Sequence, residues 1–248
     1  MSETLKKNVA TFDDDIGQND GYRYTTNAPF SSKVSNRRLS DETEAVIRHL
    51  GADVTSVIDI GCGDGTYTNE LADRMPEVRF TGFDPAAKAI ENAKQRFPKC
   101  TFTVGNVLDP ATFPNKLFDL AILRGVIHHL PVQREAIENS LRLSRRLLII
   151  EPNGNNPILK VIEKRSRYHI EHEEQSFSSA FFVGIARELG LEVKRLGFVG
   201  FVPFFFPTIP AKIIHFFQPL LEKVPLLAKY FGGQVILLLE DRRAADHN

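Results

Sequence analysis

The run Val57-Ile-Asp-Ile-Gly-Cys-Gly-Asp-Gly65 constrains this chain more than any other stretch. Val57, Ile58 and Ile60 supply strand-forming, buried side chains, and the strand then breaks into a turn with glycine at 61, 63 and 65. Those glycines let the backbone bend tightly and approach a ligand with no Cβ in the way. A strand that ends in such a turn and opens a helix is where open α/β sheets hold nucleotide-like cofactors. The spacing excludes two kinds of site. A dinucleotide fingerprint needs a third glycine at position 66, which is Thr66 here. A phosphate loop needs a following Gly-Lys-Ser/Thr, which is absent.

Downstream, apolar strands alternate with helical patterns. Val78 to Phe83 reads as a second strand and ends at Asp84-Pro85. Asp84 lies 23 residues after Gly61, close to the spacing at which a carboxylate meets ribose hydroxyls in nucleoside-binding βαβ units. A carboxylate suits a diol because it accepts two hydrogen bonds. Asp84 also reads as a helix cap with Pro85 at the first helical position, and one residue can do both. Cys100 to Val104 reads as a third strand, ending in Gly105-Asn106-Val107. Phe118 to Leu123 is a fourth, running into Arg124-Gly-Val-Ile-His-His-Leu130. Leu147 to Ile150 is a fifth, running into Glu151-Pro-Asn-Gly-Asn-Asn-Pro157. Helices are expected from about Asp41 to Leu50 (capped by Ser40, stopped by Gly51), Thr66 to Asp73, Pro85 to Arg96, Gln133 to Leu143 and Ser179 to Leu189. The last has Ser178 as its cap and Gly190 as its stop. Leu191 to Val199 and Gln234 to Glu240 read as the sixth and seventh strands.

The motif Asp-Ile-Gly-Cys-Gly-Asp-Gly, followed by Asp84, Asn106-Val107 and the post-strand His128-His129, resembles the class I S-adenosylmethionine-dependent methyltransferases, in the subset with a His-His pair after the fourth strand. The resemblance covers roughly positions 45 to 200. It implies a Rossmann-like, seven-stranded, mostly parallel sheet with helices on both faces and an antiparallel last strand. It implies S-adenosyl-L-methionine as cofactor. It places Asp59, Gly61, Cys62 and Gly63 around the methionine part, Asp84 and Pro85 at the ribose, and Asn106 and Val107 beside the adenine. Taken alone, Asn106 also reads as a polar strand-end turn, and Cys62 as a small residue tolerating a tight backbone or, secondarily, a reactive thiol. Arg124 either touches the methionine part or pairs with a surface carboxylate. His128 and His129 are the candidate general bases; one of the two is expected to be structural, with His128 favoured as base.

Residues 1–40 are expected to form an N-terminal lid segment, with Tyr22 and Tyr24 facing the cofactor mouth or lying on a loosely docked tail. Residues 41–248 are expected to form a single methyltransferase domain with a Phe/Pro-rich insertion at about 200–233. From Gly197 to Leu239 the only charges are Lys212, Glu222, Lys223 and Lys229, against eight phenylalanines. Five prolines there forbid one long helix. The insertion reads as a wall of an acceptor pocket, or as an apolar face meeting a membrane surface or a lipid-linked acceptor.

The 31 basic and 31 acidic residues balance, which gives no electrostatic case for a nucleic-acid partner. Two cysteines supply no disulfide framework and suit a cytoplasmic protein, peripheral to a membrane if the apolar face is exposed. The polar stretch Met1 to Asp15 is not an ordinary signal peptide, and no apolar run reaches the ~18 residues of a membrane span. Tyr168-His-Ile-Glu-His-Glu-Glu174 lacks the spacing of a zinc helix, so no metal is expected; His172 or Glu173 there could orient a substrate. The reading is methyl transfer to a small or lipid-like acceptor, at a hydroxyl oxygen. The alternatives are C-methylation of a quinone-type ring and a non-catalytic interaction protein of the same fold.

Overall fold

The computed structural model describes residues 28–165 and 175–242. Seven strands form one sheet: β1 (Ser56–Ile60), β2 (Arg79–Asp84), β3 (Thr101–Val104), β4 (Leu120–Arg124), β5 (Arg146–Pro152), β6 (Glu192–Val199) and β7 (Gln234–Glu240). Their order is β3-β2-β1-β4-β5-β7-β6. Strands β1 to β5 pair in parallel, and β7 runs antiparallel between β5 and β6. The order in which strands are added reverses between β1 and β4, so the carboxyl ends of these two parallel strands flank the crevice in which such sheets bind ligands.

Strand alternation sorts the core into two layers. On β4, Ala121 and Leu123 join Ile58, Ile60 and Ile149 on one face. Ile137 of α4 (Gln133–Ser140) and Phe182 of α6 (Ser179–Glu188) cover that face. Leu120 and Ile122 join Val57, Leu148 and Ile150 on the other, under Val46 of α1 (Phe30–Leu50) and Leu71 of α2 (Thr66–Arg74). The central strands are thus apolar on both sides, as a parallel sheet sandwiched between helices requires. The remaining helices are α3 (Ala87–Arg96), α5 (Pro157–Arg165), α7 (Thr208–Leu221) and α8 (Pro225–Phe231).

Two expected helix starts are corrected. Helix α1 begins at Phe30 rather than Asp41, and Ser40 is a buried residue in its middle rather than its cap. The added turns carry Ser31, Ser35 and Arg38, whose polar groups bond to other elements instead of water, so a reading by apolar periodicity passes over them. Helix α3 begins at Ala87, and Asp84 does not cap it. The expected cap of α6 is present: the Ser178 hydroxyl accepts the Phe181 N–H at 3.2 Å. The Pro/Phe-rich segment folds as two helices. Pro219 lies inside the last turn of α7, and Pro225 opens α8 at the position where its missing N–H costs nothing. Among the described residues, no helix is long and apolar enough to cross a membrane.

Candidate active site

The glycine turn after β1 is shaped by what surrounds it. Gly61 has φ +78°, and a Cβ there would lie 2.4 Å from Val126 Cγ2. Gly63, also in the left-handed region, donates its N–H to Asp84 Oδ2 at 2.9 Å. Asp84 Oδ1 accepts the Ala86 N–H at 2.8 Å. The buried Asp84 carboxylate is thereby fixed at the tip of β2, where a carboxylate's two oxygens suit a diol. Asp59 is also buried and accepts the Thr68 hydroxyl at 2.6 Å. Burial pushes its carboxyl above the ordinary range, against the pull of Thr68 and Arg124. Burial, with Asp84, Asp59 and Asp64 adding to it, raises the Cys62 thiol well above its usual value. The thiol stays protonated, which removes the reactive-cysteine reading. Asn106 Oδ1 accepts the Leu108 N–H at 2.9 Å, a strand-end turn of the kind its residue type favours.

A cavity of about 1140 Å³ opens over the carboxyl ends of the strands. Asp59, Gly61, Cys62, Gly63, Asp84, Pro85, Asn106, Val107, Arg124, His128 and His129 all line it. An apolar stretch of the lining comes from Ile158 and Ile162 of α5 and from Phe201, Phe204, Phe206 and Ile214 of the Phe-rich segment, with Asn156, Glu163 and Gln234 among the polar residues beside it. That segment is tied across the cavity to α1. Ser31 and Ser35 donate to the carbonyls of Phe204 and Val202 at 2.8 and 2.6 Å, and the Arg38 guanidinium holds Glu222 through two nitrogens. Glu222 Oε1 and Gln218 Oε1 in turn accept the N–H groups of Gly200 and Phe201.

Arg124, at the tip of β4, donates to Ser40 Oγ and to the backbone and side-chain oxygens of Asn36, and its guanidinium stacks 4.4 Å over the Tyr67 ring. Among the described residues it therefore bonds α1. Burial pushes the Tyr67 hydroxyl up to about 12, with Arg124 opposing.

After β4, Gly125 turns at φ +68° and the chain enters a short 3-10 turn, Ile127–His129. Glu151, at the end of β5 and 1% exposed, organises this turn. Its Oε1 accepts the N–H groups of Val126 and Ile127 at 2.7 Å each, and its Oε2 meets His128 Nδ1 at 2.7 Å. A carboxylate already accepting backbone N–H groups can only accept from the ring, so Nδ1 carries the proton. In the neutral imidazole, Nε2 then keeps its lone pair. The His129 ring packs on His128 at 3.9 Å between centroids.

Residues 57–148 match the family model described as a methyltransferase domain. The chain is 33% identical over 102 residues to the trans-aconitate 2-methyltransferase of Paracidovorax citrulli, and 34% over 100 residues to that of Afipia carboxidovorans. Each match covers 38% of this chain and 39% of the relative. Among solved structures, the magnesium protoporphyrin IX methyltransferase of Synechocystis with bound SAM superposes with a TM-score of 0.63, at 16% identity, over 97% of this chain and 98% of that one. The N-methyltransferase NodS of Bradyrhizobium japonicum with S-adenosylhomocysteine gives 0.59, at 16% identity, over 94% and 98%. Residues 57–148 match a methyltransferase domain, and the fold around them is that of solved S-adenosylmethionine-dependent methyltransferases.

The cavity fits S-adenosylmethionine on its own geometry. The turn at Gly61 is a cradle that a Cβ would close, and the buried carboxylates of Asp84 and Asp59 are of the chemistry that pairs with a diol and an ammonium. Sequence reasoning missed Glu151, although the signal was present: a carboxylate ending the buried run Leu147 to Ile150 must find donors. It also missed Tyr67 and the α1 residues Asn36 and Ser40, which carry no motif. Tyr22, Tyr24, His169, Glu171, His172 and Glu173 lie outside the described residues. Among the described residues no His, Cys, Asp and Glu side chains cluster to hold a metal.

Proposed function

We propose that this methyltransferase transfers a methyl group to a hydroxyl oxygen of a small, lipid-like acceptor, with His128 as the general base. The observation that carries this reading is the 2.7 Å contact between His128 Nδ1 and the buried Glu151 carboxylate in the cavity wall. S-adenosylmethionine, when bound, supplies a methyl carbon on a cationic sulfur, so the protein's work is alignment and proton removal. His128 Nε2 takes the acceptor's hydroxyl proton. Glu151 keeps the ring in the required tautomer and balances the imidazolium charge that develops. Asp84 and Asn106 hold the nucleoside end, and the Phe201–Phe206 wall keeps water away from the acceptor.

The apolar wall supports a lipid-like acceptor over a polycarboxylate such as the one in the relatives' names. Among the described lining residues, Arg124 is the one Lys or Arg, and its nitrogens bond Asn36 and Ser40. The same character supports peripheral contact with a membrane. The test is methyl transfer from labelled S-adenosylmethionine to hydroxyl-bearing amphiphiles and, separately, to trans-aconitate. Label is expected in the amphiphile, and His128→Ala is expected to slow its transfer about a hundredfold while S-adenosylhomocysteine affinity holds. Label in trans-aconitate, or normal turnover in His128→Ala, would contradict the reading.

A further inference from the structure

Helix α7 is apolar on both of its faces. Ala211, Ile214, Gln218 and Leu221 form one stripe, in which Ala211 and Gln218 are buried and Ile214 and Leu221 line the cavity. Ile209, Ile213, Phe216 and Leu220 form a second stripe half a turn away, at the same helical spacing, and they are 57 to 77% exposed. An ordinary surface helix turns charged and polar groups outward. Here the outward stripe is the more hydrophobic of the two. Leu226 of α8 is exposed as well, and so are Ile158 and Val161 of α5, against which α8 packs. Phe204 and Phe205 are exposed and line the cavity as well.

The charges around this face select its occupant. Lys212 and Lys223 are exposed and Lys229 is half-buried. Glu222, the single acid of the segment, is turned inward to Arg38 and the Gly200 N–H. A second copy docked face to face would bring lysines against lysines with no carboxylate of the segment free to answer them. A lipid surface bearing anionic headgroups answers both features at once, taking the apolar side chains into the acyl boundary and the lysines at the headgroups.

We propose that the α5–α7–α8 face seats this methyltransferase on an anionic lipid surface, so that an acceptor held in that surface reaches the cavity past Phe204 and Phe205 without crossing water. This deepens the proposed function and rests on it for the acceptor, but the docking itself is measured without donor or acceptor. The experiment is flotation of the full chain with phosphatidylcholine vesicles, with and without phosphatidylglycerol. The chain is expected to float with the phosphatidylglycerol vesicles. The double variant Ile209→Asn, Phe216→Ser is expected to lower the partition coefficient about tenfold or more. A titration with S-adenosylhomocysteine checks that this variant is intact. In a second variant, Lys212→Glu with Lys223→Glu, the preference for anionic vesicles is expected to disappear. Three results would overturn the proposal: no flotation with either vesicle, unchanged flotation of the double variant, or a concentration-dependent dimer in sedimentation that the same substitutions abolish. Because His128→Ala is expected to float like the parent, loss of docking and loss of the methyl-transfer chemistry are told apart.

Discussion

The two walls of the cavity are built in opposite ways. The cofactor wall comes from sequence-local turns at the ends of β1, β2 and β3, where a few glycines and the Asp84 carboxylate are fixed by backbone N–H groups within 21 positions of them. The acceptor wall comes from segments far apart in sequence: Ser31 bonds Phe204 across 173 positions, and Arg38 bonds Glu222 across 184. The first wall is set mainly by backbone conformation, the second by side-chain pairing and apolar contact. A change in one should therefore leave the other standing, and the predictions are chosen to separate them.

The largest effect is expected on the cofactor wall. Gly61→Ala places a methyl 2.4 Å from Val126 in a left-handed conformation. It should weaken S-adenosylhomocysteine binding by about 2–4 kcal/mol in calorimetry, with no change in vesicle flotation. Next comes the acceptor wall. Glu222→Gln leaves the partly buried Arg38 guanidinium with Glu42 as its one charged partner among the described residues and should cost about 1.5–3 kcal/mol in denaturant unfolding. Hydrogen exchange should quicken at the Gly200 and Phe201 amides, while the amides of the glycine turn keep their protection. Equal quickening in both places would mean that the walls are not separable.

The smallest effect is expected in the sheet that both walls share. Asp119 Oδ2 accepts the N–H and hydroxyl groups of Thr55 and Ser56 at 2.9 to 3.1 Å. Burial works to raise its carboxyl, but those four bonds outweigh it and hold the group below its ordinary range. Asp119→Ala should cost about 1–2 kcal/mol at neutral pH. A group with a lowered folded pKa stabilises above its unfolded value, about 3.9, and loses that contribution as pH falls through the folded value. The stability gap between parent and variant should therefore be constant at neutral pH and close below about pH 4. A gap that widened on acidification would contradict the assignment.

How far each region was legible follows from the same contrast. The strands and the eleven cavity residues could be read because apolar strands ending in Gly-rich or Asp-bearing turns are local signals, and because those turns resemble a known family's. Every one of those eleven residues lines a single cavity. The early start of α1 was hidden because Ser31, Ser35, Asn36 and Arg38 look like solvent-facing polar residues until their partners are known. Glu151 was hidden because its three partners, Val126, Ile127 and His128, lie 23 to 25 positions away on another strand's exit turn. The Phe-rich segment was recognised as unusual, yet composition could not sort its faces. The structure shows that Ile214 and Leu221 wall the cavity while Ile209 and Phe216 point away from it.

The most direct test of the two-wall account is a calorimetric titration of the full chain and of Asp84→Ala with S-adenosylhomocysteine, with NAD as the control ligand. Saturable binding of S-adenosylhomocysteine and none of NAD is expected, and Asp84→Ala should be weaker by about 1–3 kcal/mol, the scale of lost hydrogen bonds to a charged group. Equal affinity in parent and variant, or no binding by the parent, would contradict the account.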